Sequence, residues 1–271
     1  MFALTPDLLA PGDGKSAALD PNRLNWTSIR SIEDPAFETA YGALWSEFGA
    51  VHEMESRAVL VGRFALGAEM RYEMVLVRQG EEVAAVRDHT AIWLEGEVVV
   101  HLSHVIVMPP WRRSGLAGWM RAVPILVARE VAAAHGRPEA PITLIGEMEY
   151  DDGTDPRRAI RLLAYERAGY LKVEPERVDY HQPDFREPAA IDARGGQSPL
   201  PFQLIVRQVG REGEREVSGD RVGRWIRALH ALYGAQFRAQ DMRHPLLAPE
   251  RLPDATEAIP LLPPTAPIAR S

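Results

Sequence analysis

The sequence predicts a mixed α/β (α+β) domain: a mostly antiparallel sheet flanked by helices, with one further helix after it. Three observations predict this class. Met70–Arg78 and Glu82–Leu94 are strand-like runs joined by the turn Gln79-Gly80-Glu81, the signature of an antiparallel hairpin. The apolar, β-branched run Val98–Val107 is stopped by Pro109 and Pro110, then followed by a glycine turn and a helical pattern. Another strand, Pro141–Glu149, leads into a second capped helix.

Residues 1–23 contain Pro6, Pro11, Gly12, Gly14 and Pro21 and read as an irregular lead-in. Within it, Gly14-Lys15-Ser16 invites a phosphate-loop reading, but that motif needs a glycine where Leu9 stands. Leu24–Ile32 is the first strand candidate. Asp34 and Pro35 are a cap and a first-turn proline for a helix with Phe37, Tyr41, Leu44, Trp45 and Phe48 on one face. A second helix is expected from about Glu53 to Leu66. After the hairpin and the central strand, a third helix should run from about Gly115 to His135, kinked where Pro124 removes a hydrogen bond. Asp155 and Pro156 start the next helix. Leu171–Tyr180 and Phe202–Val209 are later strands. Ser218 caps a helix over 218–238 whose apolar stripe includes Val222, Trp225, Ile226, Leu229, Leu232, Tyr233 and Phe237. From residue 244 onward prolines recur too densely for a helix or a central strand, and an extended tail is expected.

The chain of 271 residues is 46% apolar and 25% charged, enough to bury a real core. Its net charge of −7 argues against coating nucleic acid and suits cationic amine substrates. With no cysteine, a disulfide framework, a thiolate metal site and a cysteinyl acyl intermediate are all excluded. No secretory leader and no membrane-spanning run is apparent, so a cytoplasmic location is the expectation.

The turn after the central strand carries the chemistry. A helix start presents N–H groups without intrahelical partners at the positive end of its dipole, and Gly115 would let an anion approach. The bland alternative is a strand-to-helix turn with two solvated arginines. The order Val107-x-Pro109-x-x-Arg112-x-x-Gly115-x-Ala117 resembles the acetyl-CoA pyrophosphate loop of the GNAT N-acetyltransferase superfamily. Leu162-Leu-Ala-Tyr165-Glu-Arg-Ala-Gly169-Tyr170 resembles that family's later Tyr-Glu-x-x-Gly-Phe helix. The resemblance covers roughly residues 24–210. Residues 211–243, holding the last helix, and the tail at 244–271 lie outside it; that helix should pack on the domain or on a partner, a homodimer among the options.

The resemblance implies a GNAT fold with its sheet splayed between central strands 4 and 5. It implies acetyl-CoA as acyl donor, held by Arg112, Arg113, Ser114, Gly115, Leu116, Ala117 and Gly118, with Val107 pairing with the pantetheine arm. A backbone N–H near Val105 would polarise the thioester, and Tyr165 would protonate the leaving thiolate. His101, eleven residues before Arg112, stands where members of the superfamily place a histidine or glutamate base. Strand alternation puts His101, Ser103, Val105 and Val107 on one face and His104 on the other. Glu147 and Glu149 compete with His101 for the base role, and as a pair they would raise one pKa or bind a cationic amine. Arg158 replaces an Asn that many relatives use on the CoA arm, which puts that contact in doubt. No metal site is read.

The sequence thus points to an acetyl-CoA-dependent N-acetyltransferase acting on a small-molecule or peptide amine in a ternary complex. The alternative is a non-catalytic acyl-CoA-binding or regulatory module on the same fold. The acceptor stays open among polyamine, antibiotic, amino acid, peptide N-terminus and lysine side chain. No nucleic-acid or membrane partner is expected.

Overall fold

The computed structural model describes residues 3–49 and 53–268. The first two residues of the lead-in and the last three of the tail lie outside the described residues. The chain divides into two compact units, 1–144 and 145–271.

The first unit opens with four short 3-10 turns between Pro6 and Arg23, so the lead-in is irregular but packed: Leu8, Ala10, Asp13 and Ser16 are buried. Then come β1 (Asn25–Ile29), α1 (Phe37–Phe48), α2 (Arg57–Arg63), β2 (Met70–Gln79), β3 (Glu82–Leu94) and β4 (Glu97–Val107). β1, β2, β3 and β4 pair antiparallel in chain order. The predicted hairpin is present, with Gly80 taking the positive φ its turn needs. The predicted third helix is two: α3 (Leu116–Ala122) and α4 (Pro124–Ala134). Pro124 is the first residue of the second, and the break falls where its missing N–H ends the ladder. α3 and α4 cross back to the start of β5 (Ile142–Met148), which lies parallel to β4; Val98 N–H donates to the Pro141 carbonyl at 2.8 Å.

Phe37, Ala40 and Leu44, three and four residues apart, press α1 onto Tyr72, Met74, Leu76 and Val86 of the sheet. α4 covers the other face with Ile125, Ala128, Val131 and Ala132. This double covering explains why Val98-Val99-Val100 reads as a continuous apolar run rather than an alternating one.

The second unit holds the rest of β5, then α5 (Pro156–Arg167), β6 (Leu171–Val173), β7 (His181–Gln182), α6 (Pro188–Ala193), β8 (Leu200–Pro201), β9 (Gln203–Gln208), β10 (Glu216–Ser218), α7 (Gly219–Gly234) and β11 (Ala258–Leu262). Its strand order is β5-β9-β6-β11-β10, with β7 and β8 a separate pair. β6 and β9 are antiparallel, but β6 ends at Val173, well short of the predicted Tyr180.

The caps of α5 and α7 are as expected: Asp155 accepts from Arg157 N–H at 2.9 Å and Ser218 from Arg221 N–H at 3.3 Å. Trp225, Leu229, Leu232 and Tyr233 of the predicted stripe are buried, and Phe185 and Phe237 pack on Tyr233.

The proline-rich tail differs from expectation, because β11 is a strand between β6 and β10 with Pro260 inside it. The Pro260 carbonyl accepts from Glu174 N–H, just past the end of β6, so its missing N–H falls where the ladder has already stopped. Leu261, facing the other way, donates to the Arg215 carbonyl at 2.8 Å.

Candidate active site

The first unit contains the predicted cofactor turn and His101. After β4, Met108 N–H returns to the Ala84 carbonyl at 3.0 Å, and Pro109–Trp111 forms one 3-10 turn. Arg113 and Gly115 then take left-handed conformations, with φ of 67° and 97°. A non-glycine residue there is uncommon, so this turn is held by its surroundings. Leu116 N–H is taken by the Ser114 hydroxyl at 3.2 Å and Gly118 N–H by the Gly115 carbonyl at 3.2 Å. Arg112, Arg113, Ser114 and Ala117 are exposed, and neither arginine is ion-paired among the described residues. Arg112 Nε donates to the Val107 carbonyl at 3.2 Å. The sheet fixes the helix behind the turn: the buried Arg87 side chain on β3 donates to the Met120 carbonyl.

The glycines of this turn have a reason the sequence did not show. A Cβ on Gly115 would lie 3.0 Å from the Ser16 Cα and 3.1 Å from the Lys15 carbonyl oxygen. One on Gly118 would overlap the Ser16 hydroxyl and lie 2.7 Å from the Ser16 Cβ. On this side both positions face the lead-in, not open space for a phosphate. Ala117 is the small residue that faces outward.

The predicted alternation along β4 fails at one point. Val105 pairs with Arg87 but Leu102 pairs with His89, so two residues of β4, Ser103 and His104, stand opposite Asp88 alone. This β-bulge reverses the facing of everything beyond it. His101, paired with Thr90, shares the α1 face with His104, while Val105 and Val107 turn to the face that carries Arg87. His101 is 2% exposed, and its Nδ1 lies 3.3 Å from the half-buried Ser103 hydroxyl.

Beside it is a buried charge network absent from the sequence reading. His104 Nδ1 lies 3.0 Å from Asp88 Oδ1 and Nε2 lies 2.9 Å from the Glu53 carbonyl. Both partners are acceptors, so the ring must carry both protons. Burial pushes its pKa down, but the Asp88 carboxylate, aided by Glu55, outweighs burial and raises it to about 9. Asp88 also accepts from His104 N–H at 2.8 Å and Tyr72 O–H at 3.0 Å. Against the cost of burial, the His104 charge, its hydrogen bonds and Arg63 hold Asp88 well below the ordinary carboxylate range. Arg63 and Glu55 form a buried ion pair.

The second unit contains the other predicted groups. Glu147 accepts from the hydroxyls of Tyr180 and Tyr233, one on each oxygen. Burial first, and the carboxylate second, raise Tyr180 well above the usual phenol range, so it remains a donor. Glu149 is ion-paired with Arg158 at 2.9 Å and with Arg161. Arg158, which stands in place of the family's Asn, also bonds Asp152 at 2.7 Å. Both carboxylates are thus engaged by phenol or guanidinium donors, one on each oxygen. Tyr165 is half-buried on α5 and meets Tyr170 edge-on, centroids 4.9 Å apart. Gly169, at φ 77°, closes the helix: Tyr170 N–H reaches back to the Tyr165 carbonyl at 3.0 Å. Among the described residues no group of three or more His, Asp or Glu is placed to hold a metal ion, and no helix is long and apolar enough to cross a membrane.

A mostly antiparallel sheet with a parallel β4–β5 pair and flanking helices is consistent with the GNAT class of fold. No protein-family model and no curated protein sequence matches the chain. Among solved structures, it is similar to a putative acetyltransferase from the GNAT family from Bacteroides thetaiotaomicron, at 18% identity over 68% of this chain and 86% of that one, with a TM-score of 0.45. It is similar to Arabidopsis thaliana Naa50 in complex with the bisubstrate analogue CoA-Ac-MVNAL, at 9% identity over 69% and 99% of the two chains, TM-score 0.41. A third is the ribosomal-protein-S18-alanine N-acetyltransferase from Escherichia coli, at 13% identity over 69% and 94%, TM-score 0.35.

Proposed function

We propose that this protein is an N-acetyltransferase that moves an acetyl group from acetyl-CoA to a primary amine by direct attack. The observation that carries the reading is the turn from Val107 to Gly118. Its left-handed backbone at Arg113, the exposed Ser114 and Ala117 and two exposed arginines without acidic partners suit a diphosphate.

The reaction forms one bond and breaks one. The amine nitrogen attacks the thioester carbonyl carbon, and the C–S bond releases CoA thiolate. The amine gives a proton to a base and the thiolate takes one from an acid. A backbone donor near Val105 polarises the carbonyl, a role that rests on the resemblance. Of the three candidate bases, His101 is favoured. Both carboxylates already have partners on each oxygen, whereas His101 meets a hydroxyl that can relay a proton. Tyr165 supplies the thiolate proton, a role that rests on the resemblance of its motif.

One observation favours a second reading, an acyl-CoA-binding module without turnover: His101 is almost wholly buried. Calorimetric titration with acetyl-CoA and CoA, followed by an amine panel with thiol-release detection, decides. Micromolar binding that Ala117→Glu removes, with thiol released by at least one amine, supports the enzyme. Binding without release supports the module. No binding by the folded protein overturns both. Ala117 is chosen because it is exposed, whereas a side chain at Gly115 would collide with the lead-in.

A further inference from the structure

Residues 13–19 lie outside the part of the chain that resembles the family, yet they pack on the cofactor turn and the helix behind it at five points. The Asp13 carboxylate and the Arg121 guanidinium on α3 form an ion pair, with Arg121 Nε 3.3 Å from Asp13 Oδ2; their side chains are 8% and 13% exposed. The buried Trp119 indole N–H is shared between the Ser16 carbonyl at 2.9 Å and the Leu19 carbonyl at 3.2 Å. Ser16 fills the space in front of Gly118, and the Lys15–Ser16 backbone fills the space in front of Gly115. The segment holds its own shape through Ala17 N–H to the Gly14 carbonyl and Leu19 N–H to the Ser16 carbonyl.

α3 has only seven residues, too few to be stable as an isolated helix. Its position is set by what grips it. On one side Arg87 ties the Met120 carbonyl to the sheet, and Leu116 and Met120 are buried. On the other there is the lead-in, with contacts at positions 115, 118, 119 and 121. The strained backbone at Arg113, with the positive-φ Gly115 after it, sits at the end of this doubly gripped helix. A strained conformation persists only where its surroundings over-determine it.

We infer that Asp13 and Ser16 are positioning residues for acyl-CoA binding: the lead-in braces the turn at Arg112–Gly118 in its ligand-ready shape. The inference rests on the acetyltransferase reading. The Gly14-Lys15-Ser16 sequence, rejected as a phosphate loop of its own, thereby acts as the backing of another one.

The test measures acetyl-CoA affinity, kcat at saturating acetyl-CoA and amide hydrogen exchange of residues 112–120 without ligand. The proteins are wild type, Asp13→Ala, Arg121→Ala and the charge swap Asp13→Arg with Arg121→Asp. A brace predicts about tenfold weaker binding in each single variant, kcat within about twofold, faster exchange of the turn and substantial recovery in the swap. Wild-type affinity in the single variants overturns the inference, even if exchange is faster. An equal fall in kcat and affinity also overturns it. A wild-type protein that binds no acetyl-CoA defeats the acetyltransferase reading itself, a distinct result.

Discussion

His104 is held between two acceptors: its Nδ1 meets Asp88 at 3.0 Å and its Nε2 meets the Glu53 carbonyl at 2.9 Å. The ring therefore joins the bulge of β4 to the connection between α1 and α2 only while it is doubly protonated. Its folded pKa, about 9, lies above the ordinary 6.5. Its stabilisation is full below pH 6.5 and is lost as pH rises through about 9, on the order of 3 kcal/mol in all. Thermal denaturation between pH 6 and 10 should show this fall, and Asp88→Asn should flatten it. An equal slope in the variant would assign the pH dependence to another group.

Gly118 should tolerate no side chain while Ser16 is present. A Cβ there would overlap the Ser16 hydroxyl and meet its Cβ at 2.7 Å, and Ser16 is itself buried. Gly118→Ala is expected to cost about 2 kcal/mol by overpacking, seen as a lower Tm. Ser16→Gly in the same chain should return part of that loss. Additive losses would mean that the two positions do not touch.

The two kinds of candidate base should separate by phenotype. Glu147→Ala leaves two phenol hydroxyls without their acceptor and should destabilise the fold by about 3 kcal/mol. His101→Ala should lower turnover by about 100-fold at nearly unchanged acetyl-CoA affinity. Urea denaturation and steady-state rates on the same two variants check this. A stable Glu147→Ala protein with a strongly reduced rate would hand the base role to the carboxylate.

Tyr165→Phe keeps the edge-on ring contact with Tyr170 and removes only the hydroxyl. Turnover should fall about tenfold or more in a protein that remains folded. An unchanged rate would leave the tyrosine as packing alone.

Much of this molecule could be read from its residues, wherever local rules decide. The β2–β3 hairpin follows from strand-forming runs around Gly80, the break before α4 from Pro124, and the start of α5 from Asp155 and Pro156. Three features could not be read, each because it depends on what lies opposite in space. The bulge at Ser103–His104 leaves no mark in composition; only the pairing of Leu102 with His89 and Val105 with Arg87 exposes it. The demand on Gly118 comes from Ser16, about a hundred residues away. Pro260 argued against a strand, and was accommodated because β6 stops before it needs a donor. Of the site, the turn and its arginines were legible. The engagement of Glu147 by two tyrosines was not, since Tyr180 and Tyr233 carry no motif relating them to β5.

The placement of β11 between β6 and β10 has a consequence for the order of assembly. Both neighbours are synthesised before the strand that separates them. While the chain emerges from the ribosome, the second unit has an unfilled slot in its sheet, with an unpaired edge of β6 at Lys172 and Val173 beside it. The first unit faces no such wait, because its four antiparallel strands pair in the order they are made. A nascent chain halted before residue 258 should thus carry a folded first unit and an open-edged second one, the state in which this protein would be most exposed to misplaced strand pairing.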